Sequence, residues 1–250
     1  MKVIYTPTGR AGEYAKWAVN LYTGCSNGCI YCYVPKFARR SIADFRERVV
    51  PRSQILSGLK KDCEEFRFKG HTGNVLLCFL CDPYPRMVAN VFTRQVLEIL
   101  SEHGIKFTVL TKNGSEAVRD FDLYKDGDEF ATTLTFIDDK DTAKYEPNAD
   151  KYSQRVEALR VAKEKGIKTW VSLEPVIKPG VALEIIKETH TIVDEFRIGK
   201  LNHFNIPVDW RRFKTQAEEL CCKLGVRYLI KKDLSLIYRT IENSRKLKNT

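Results

Sequence analysis

The amino-acid sequence predicts an α/β fold, a partial (β/α)6 TIM-like barrel. Short apolar runs rich in β-branched and aromatic residues alternate with amphipathic helical runs along most of the chain. Repeated strand–helix units with right-handed crossovers build a parallel sheet. About six such units are present, and in barrels of this kind the chemistry collects where loops leave the carboxyl ends of the strands.

The predicted strands are short and ended by polar or turn-forming residues. The clearest is Asn74–Cys81, a compact apolar run that an Asp-Pro pair follows. The full set of predicted strands is near Tyr14–Val19, Asn74–Cys81, Lys106–Lys112, Phe130–Phe136, Lys168–Pro175, Glu195–Leu201 and Arg227–Ile230.

The helices between these strands show apolar positions three and four residues apart. Phe92–Gly104 places Val96, Leu97 and Leu100 on one face and ends in glycine, which commonly follows a helix. The other predicted helices are near Ser115–Tyr124, Tyr152–Gly166, Gly180–His190 and near Trp210–Leu224.

Length and composition favour one domain. The chain has 250 residues and is 43% hydrophobic, enough for a single large core. We predict one domain over residues 1–250, with its core at about 15–230 and a basic helix or tail at 231–250. The sequence has no secretory leader and no apolar run of membrane-spanning length, so we expect a cytoplasmic protein without a membrane partner.

Positive charge is unevenly placed. The net charge is +10, and residues 33–70 carry ten Lys or Arg against five Asp or Glu. Residues 197–250 carry thirteen against five, whereas 71–196 carry sixteen against twenty-one. One interpretation is a polyanionic partner such as nucleic acid. The other is solubility, with lysines spread over solvated helix faces.

The cysteines indicate metal or redox chemistry, because disulfides are rare in a reducing compartment. Three of the eight, Cys25, Cys29 and Cys32, form a C-x3-C-x2-C motif with glycines at 24 and 28. Structural zinc and [4Fe–4S] clusters usually take four protein ligands. No His or Cys nearby offers a fourth, so a cubane held here has one iron open to a small ligand.

The segment "GCSNGCIYCY" resembles the signature of the radical S-adenosylmethionine (SAM) superfamily. The later stretches "CDPYPRM", "VLTKNG" and "YEPNADKYSQRVEALRVAKEKGIKTWVSLEPV" look like its spore photoproduct lyase branch, over roughly residues 15–205. The resemblance implies a barrel of the radical SAM type, a [4Fe–4S] cluster and SAM. It also implies reductive cleavage of SAM to a 5′-deoxyadenosyl radical, which abstracts hydrogen from a substrate, and an external electron donor of the flavodoxin or ferredoxin class.

The resemblance assigns roles to several residues. It implies that Cys25, Cys29 and Cys32 ligate the cluster, that Tyr31 lies beside the adenine and that Tyr33 lies near the substrate. Further residues that it implies for SAM are Lys112, Thr133 or Thr135 for the ribose or methionine part, and Arg155 for the carboxylate. For Lys112 and Arg155 an ordinary surface charge is the alternative. Asp82 follows a strand and either binds ribose or caps the next helix.

The lyase also uses a strand cysteine as a hydrogen-atom donor. Cys78 and Cys81 lie near that position, neither in the same register, and Cys81 is favoured because it is nearer the strand end. Alternation in a strand sends the two to opposite faces, which speaks against a zinc site that they complete. Packing as buried thiols is the alternative for both, and also for Cys63, Cys221 and Cys222.

Three hypotheses of function remain open from the sequence. The first is a radical SAM enzyme that acts on a nucleic acid or nucleotide, which the basic segments and the tyrosines favour. The second is a radical SAM enzyme that modifies a peptide or small metabolite. The third is a non-catalytic protein that binds a metal cluster.

Overall fold

A computed structural model describes residues 2–86, 91–201 and 207–236. It contains a seven-stranded parallel sheet whose strand order follows the chain. This confirms the predicted α/β fold and the partial barrel. The strands are β1 (Trp17–Val19), β2 (Val75–Leu77), β3 (Phe107–Thr111), β4 (Glu129–Thr133), β5 (Lys168–Val176), β6 (Glu195–Lys200) and β7 (Arg227–Ile230).

Helices connect the strands and cover the outer face of the sheet. The α-helices are α1 (Val34–Phe37), α2 (Ile42–Glu47), α3 (Ile55–Phe68), α4 (Val91–Glu102), α5 (Gly114–Ala117), α6 (Asp139–Tyr145), α7 (Tyr152–Glu164), α8 (Pro179–Thr189), α9 (Trp210–Leu224) and α10 (Lys232–Ser235). Two 3₁₀-helices span Gly9–Glu13 and Val118–Leu123. None of the described helices is long and apolar enough to cross a bilayer.

The prediction of one strand over Asn74–Cys81 was wrong in its second half. Strand β2 ends at Leu77, because the amides of Phe79 and Leu80 donate to the side-chain oxygen of Asn20, at 2.9 and 2.8 Å. These amides are therefore bonded to a side chain instead of a neighbouring strand. The strand alternation that was expected to separate Cys78 from Cys81 does not apply.

The predicted helix near Ser115–Tyr124 was also wrong in part. A single turn, α5, is followed by the 3₁₀-helix Val118–Leu123. The tighter segment brings the buried carboxylate of Asp120 to the hydroxyl of Tyr84, at 2.9 Å. Of the predicted C-terminal segment, residues 231–236 are described and include α10, whereas 237–250 lie outside the described residues.

Two apolar clusters lie on the two faces of the sheet. The larger one joins the outer face to helices such as α3, α4, α7 and α8. The smaller one comprises Ala18, Leu76, Ala131 and Trp170. Side chains that pack against this small cluster, Tyr14 and Phe79 among them, also line the large cavity of the molecule. The inner face of the sheet thus forms the floor of that cavity.

Candidate active site

A cavity of about 560 Å³ lies where the loops leave the carboxyl ends of the strands. Nine of the eleven residues predicted for the site line it, and they come from loops after β1, β2 and β3 and from β4. These are Cys25, Cys29, Tyr31, Cys32, Tyr33, Cys81, Asp82, Lys112 and Thr133. Thr135 and Arg155 are buried beside the cavity without lining it.

The loop that carries the three cysteines is fixed by its own backbone. The amide of Cys25 donates to the carbonyl of Phe45 at 3.0 Å, and the amide of Ile30 donates to the carbonyl of Tyr145 at 2.9 Å. The side-chain amide of Asn148 donates to the carbonyl of Ser26 at 2.8 Å. All three thiols are partly exposed to the cavity. The motif is therefore held open towards the cavity by neighbours far away in sequence.

Gly24 allows this loop to pass close to the carboxyl-terminal end of α2. A Cβ atom on residue 24 would lie 2.5 Å from the carbonyl oxygen of Phe45 and 2.7 Å from that of Arg48. We therefore expect Gly24→Ala to destabilise the fold by about 1–3 kcal/mol, since backbone must move to relieve the overlap. Urea unfolding measures the change.

Gly180→Ala is the matched control, because its Cβ would meet no atom within 4 Å in the described structure. It lies in the first turn of α8, where alanine is the better helix former, so stability should hold or rise slightly. Equal stability of the Gly24→Ala protein and the wild type would contradict the close approach.

The three thiols are protonated when no metal is bound. Burial raises the pKa of Cys29 to about 12, although the nearby ammonium of Lys112 opposes the rise. Burial, reinforced by the carboxylate of Asp82, raises the pKa of Cys25 well above its ordinary value, and burial also raises that of Cys32. Metal binding at this loop must therefore displace protons.

Asp82 joins the cysteine loop to the ends of β2 and β3. Its Oδ2 accepts from the side-chain amide of Asn27 and the backbone amide of Lys112, both at 2.8 Å. Its Oδ1 accepts from the amide of Tyr84 at 2.9 Å and the hydroxyl of Thr111 at 2.6 Å. A carboxylate offers about four acceptor positions. All four of these positions are used within the protein. Asp82 therefore links the cysteine loop to the ends of β2 and β3 and does not cap a helix.

Glu146 forms a second buried centre, under Tyr31. Its carboxylate accepts from the hydroxyls of Tyr31 and Thr135 and from the guanidinium of Arg155, the last at 2.6 Å. Burial alone would raise the pKa of Glu146, but Arg155 and Lys112 lower it below its ordinary value. The carboxylate is thus ionised, and it fixes the phenol of Tyr31 at the cavity wall.

Arg155 has its donors engaged inside the protein. Its Nε donates to the carbonyl of Asp150 and its Nη1 to that of Thr133, both at 2.9 Å, and its Nη2 pairs with Glu146. The side chain is only 2% exposed. The structure therefore places this guanidinium behind Thr133 and Tyr31, away from the cavity surface, where it is neither a surface charge nor in contact with the cavity.

Lys112 is the cation of the cavity wall nearest the cysteine loop. Its Nζ lies 5.8 Å from the centre of the Tyr31 ring. Burial would lower the pKa of Lys112, but nearby acidic groups, the carboxylate of Glu146 among them, raise it above its ordinary value. The lysine is therefore charged, and it is available to an anionic group in the cavity.

The sequence of this chain matches the model of a known protein family. The model of the radical SAM superfamily matches residues 19–193, which include the cysteine loop and strands β2 to β5. The chain belongs to the radical SAM superfamily. This confirms the family resemblance, and the superfamily implies SAM and a [4Fe–4S] cluster as cofactors.

Two proteins are similar in sequence to about three quarters of this chain. Uncharacterised protein ORF301 of Acidianus two-tailed virus is 30% identical over 203 residues, 75% of this chain and 65% of that protein. An uncharacterised protein of Methanocaldococcus jannaschii is 26% identical over 194 residues, 75% of this chain and 71% of that protein. This chain thus spans slightly less than two thirds of the viral relative's length.

Two kinds of solved structure share the fold at low sequence identity. Spore photoproduct lyase complexed with dinucleoside spore photoproduct gives a TM-score of 0.69 at 11% identity, over 90% of this chain and 78% of that chain. SuiB of Streptococcus suis bound to S-adenosylmethionine gives 0.66 at 11% identity, over 86% of this chain and 46% of that chain. At these identities the likeness shows the fold alone.

The donor set of the radical SAM loop suits a cubane better than a single ion. Within residues 2–86, 91–201 and 207–236, no three His, Cys, Asp or Glu side chains converge as ligands of one metal ion do. Three thiolates on a cubane bind three different irons and need not converge. The hydroxyl of Ser26, next to Cys25, is buried and has no hydrogen-bond partner among the described residues. Such a donor suits the sulfide or thiolate acceptors of a cluster.

The opposite wall of the radical SAM cavity carries a polar network that sequence analysis missed. The Tyr14 hydroxyl hydrogen-bonds with Ser172 at 2.8 Å and donates to Glu174 at 2.6 Å. The Nζ of Lys231 donates to the same Glu174 oxygen at 2.8 Å and lies 4.0 Å from the Tyr14 ring centre. Burial and Glu174 hold the pKa of Tyr14 well above its ordinary value. The phenol is thus a protonated, polar group facing the cavity.

Proposed function

We propose that this chain is a radical SAM enzyme that binds a [4Fe–4S] cluster through Cys25, Cys29 and Cys32 and holds SAM in the adjoining cavity. The observation that carries the proposal is that three thiols of one short loop line a cavity of about 560 Å³ in a radical SAM fold. When bound, the cluster and SAM supply reductive cleavage of SAM to a 5′-deoxyadenosyl radical, which abstracts hydrogen from a substrate.

The protein's own residues bind and orient the cofactor in this proposal. Lys112 provides a positive charge for the carboxylate of SAM, the role that the sequence analysis gave to Arg155. Tyr31 packs beside the adenine, held by Glu146, and Arg155 keeps Glu146 ionised. Thr133 offers its hydroxyl to the ribose or methionine part, whereas Thr135 donates to Glu146 and so acts through Tyr31.

Asp82 positions the cysteine loop against Lys112 instead of binding ribose directly, because its oxygens already accept four hydrogen bonds. Tyr33, half exposed at the cavity wall, is proposed to contact the substrate. Cys81 is proposed as the thiol that returns a hydrogen atom to the substrate radical. SAM is consumed if 5′-deoxyadenosine keeps the hydrogen atom that it abstracted, and it is regenerated if that atom is given back.

The first substrate class that we propose is a nucleic acid or nucleotide. The segment beside the cysteine loop combines exposed aromatic side chains, Tyr33 and Phe37, with basic ones. The neighbouring basic residues of the same segment are Lys36, Arg39, Arg40, Arg46 and Arg48. Aromatic faces and cations together suit stacking on bases and pairing with phosphates. The lyase neighbour complexed with a dinucleoside photoproduct is consistent with this class.

A peptide substrate is the second candidate, because a structural neighbour, SuiB, was solved bound to its precursor peptide SuiA. The salt dependence of binding to single-stranded oligonucleotides separates the two classes. Contacts to several phosphates give an affinity that falls steeply with salt, whereas a peptide enzyme need show no such slope. In either case a flavodoxin- or ferredoxin-type protein is the proposed electron donor.

The test of the proposed function is electron paramagnetic resonance of the reconstituted, dithionite-reduced protein, with and without SAM. We expect SAM to shift the signal of the reduced cluster, since SAM binds at the iron that lacks a protein thiolate. A signal that saturating SAM leaves unchanged would contradict a SAM site at the cluster. It would favour the third hypothesis, a protein that only binds a cluster.

A further inference from the structure

Two thiols outside the cluster motif line the same cavity. Cys78 and Cys81 follow β2, both are buried, and both face the cavity that the cluster loop opens into. A regular strand would have placed them on opposite faces, but here Asn20 holds the amides of Phe79 and Leu80 and bends the chain between them. The bend is what gives both side chains access to one space.

The segment after β1 packs against the thiol of Cys81. The amide of Tyr22 donates to Cys81 Sγ at 3.4 Å. Burial would raise the pKa of Cys81, but the neighbouring Cys78 thiol and the backbone of Tyr22 and Leu21 lower it below its ordinary value. Two thiols three residues apart that face one cavity and influence each other's ionisation are placed for exchange of a proton or formation of a bond.

The other cysteines outside the motif do not share this setting. Cys63 and Cys221 are buried in helices α3 and α9, and Cys222 is exposed next to Cys221. None of these three lines the cavity. The pair Cys78 and Cys81 therefore combines two thiols of one short segment with access to the cavity.

We propose that Cys78 and Cys81 form a redox-active dithiol that supplies one hydrogen atom and one electron to the reaction. This inference rests on the proposed function, which forms a carbon radical in the cavity. The S–H bond of Cys81 breaks, its hydrogen atom forms a C–H bond on the substrate radical, and a thiyl radical remains on Cys81.

Cys78 then loses its proton to solvent and its sulfur bonds to the Cys81 sulfur. The electron left over passes to the oxidised form of the external flavodoxin- or ferredoxin-type carrier. The balance is two thiols, a substrate radical and an oxidised carrier giving a disulfide, a C–H bond, a proton and a reduced carrier. A thiol reductant of the glutathione or thioredoxin class restores the pair by exchange.

The test is a redox titration of the reconstituted wild-type protein under anaerobic conditions. The protein is equilibrated in glutathione buffers of increasing oxidised fraction, quenched with acid, alkylated and mapped by peptide mass spectrometry. We expect an internal Cys78–Cys81 disulfide to be the first to form and to be reversed completely by reduced dithiothreitol. Cys78→Ser should abolish it and leave Cys81 as a mixed disulfide with glutathione, whereas Cys222→Ser should leave it unchanged.

Independent capping of Cys78 and Cys81 by glutathione in the wild type, with no internal disulfide at any buffer ratio, would overturn the proposal. The titration uses neither SAM nor substrate. Its failure therefore removes the dithiol alone. Loss of the SAM effect in the resonance experiment would instead remove the proposed function, and with it the dithiol's role in that reaction, while the titration result would stand.

Discussion

Cys29→Ala is expected to abolish assembly of the iron–sulfur cluster. Cys29 is the middle one of the three proposed cluster ligands, and its thiol lines the cavity together with Cys25 and Cys32. Removing one of three thiolates leaves a cubane with two protein ligands, against the four that such clusters usually have. After anaerobic reconstitution and desalting, we expect iron and sulfide per chain, and the visible absorbance of the cluster, to fall to background. Cys25→Ala and Cys32→Ala should do the same.

Cys222→Ala is the control for the loss of a thiol as such. Cys222 is exposed on α9 and does not line the cavity, so its iron and sulfide content should match the wild type. Circular dichroism of each variant shows whether the fold survives. A folded Cys29→Ala protein with wild-type iron and sulfide would refute the assignment of the cluster ligands.

Arg155→Met is expected to destabilise the fold strongly. The change leaves the carboxylate of Glu146 buried without its guanidinium partner, and both side chains are at most 2% exposed. Loss of one member of a buried ion pair typically costs about 3–5 kcal/mol. It also removes the hydrogen bonds from Arg155 to the carbonyls of Thr133 and Asp150. Urea unfolding at neutral pH measures the change.

Arg160→Met, on the same helix, is the matched control. Arg160 pairs with Glu157 at 3.3 Å, but both side chains are more than half exposed. Exposed pairs are worth ~0–1 kcal/mol, so the unfolding midpoint should barely move. A similar small effect of Arg155→Met would mean that Glu146 is not an obligatory partner, and the proposed support of Tyr31 would fail with it.

Much of the fold could be predicted from sequence because the pattern of strands and helices is local. The apolar spacing of Phe92–Gly104 predicted α4, and the apolar alternation of later segments placed strands β3 to β7 close to their observed ends. The predicted end of β2 was wrong because a side chain competes with a neighbouring strand for the backbone hydrogen bonds. Asn20 accepts hydrogen bonds from two backbone amides that follow β2. The sequence of residues 74–81 does not predict this partner, which lies 59 residues away from Phe79.

In the candidate site, too, residues of a local motif could be predicted, whereas residues whose partners are distant in sequence could not. The cysteine motif is contiguous, so its three thiols and Tyr31 could be predicted directly. Glu146 stands in the quoted stretch "YEPNAD" but gains its importance from contacts with Tyr31, 115 residues away, and with Arg155. The network of Tyr14, Glu174 and Lys231 joins both ends of the chain. These contacts form only when distant parts of the chain come together in the folded sheet. The periodicity of the sequence does not indicate which residues then become neighbours.

The guanidinium of Arg155 finds its partners inside the protein. Its guanidinium suited a cofactor carboxylate on chemical grounds. The fold instead supplies a protein carboxylate, Glu146, and two carbonyls for the same donors. Lys112, in contrast to Arg155, lines the cavity. The partner of a charged side chain therefore depends on which groups the fold buries beside that side chain.

The most direct test of the account is formation of 5′-deoxyadenosine. The reconstituted protein is incubated anaerobically with SAM and dithionite, and the products are separated by chromatography and identified by mass. We expect 5′-deoxyadenosine from the wild type and from Cys222→Ala, and none from Cys29→Ala. A wild-type protein that carries a full cluster, binds SAM and yet forms no 5′-deoxyadenosine, even with candidate nucleic-acid and peptide substrates present, would contradict a radical SAM enzyme.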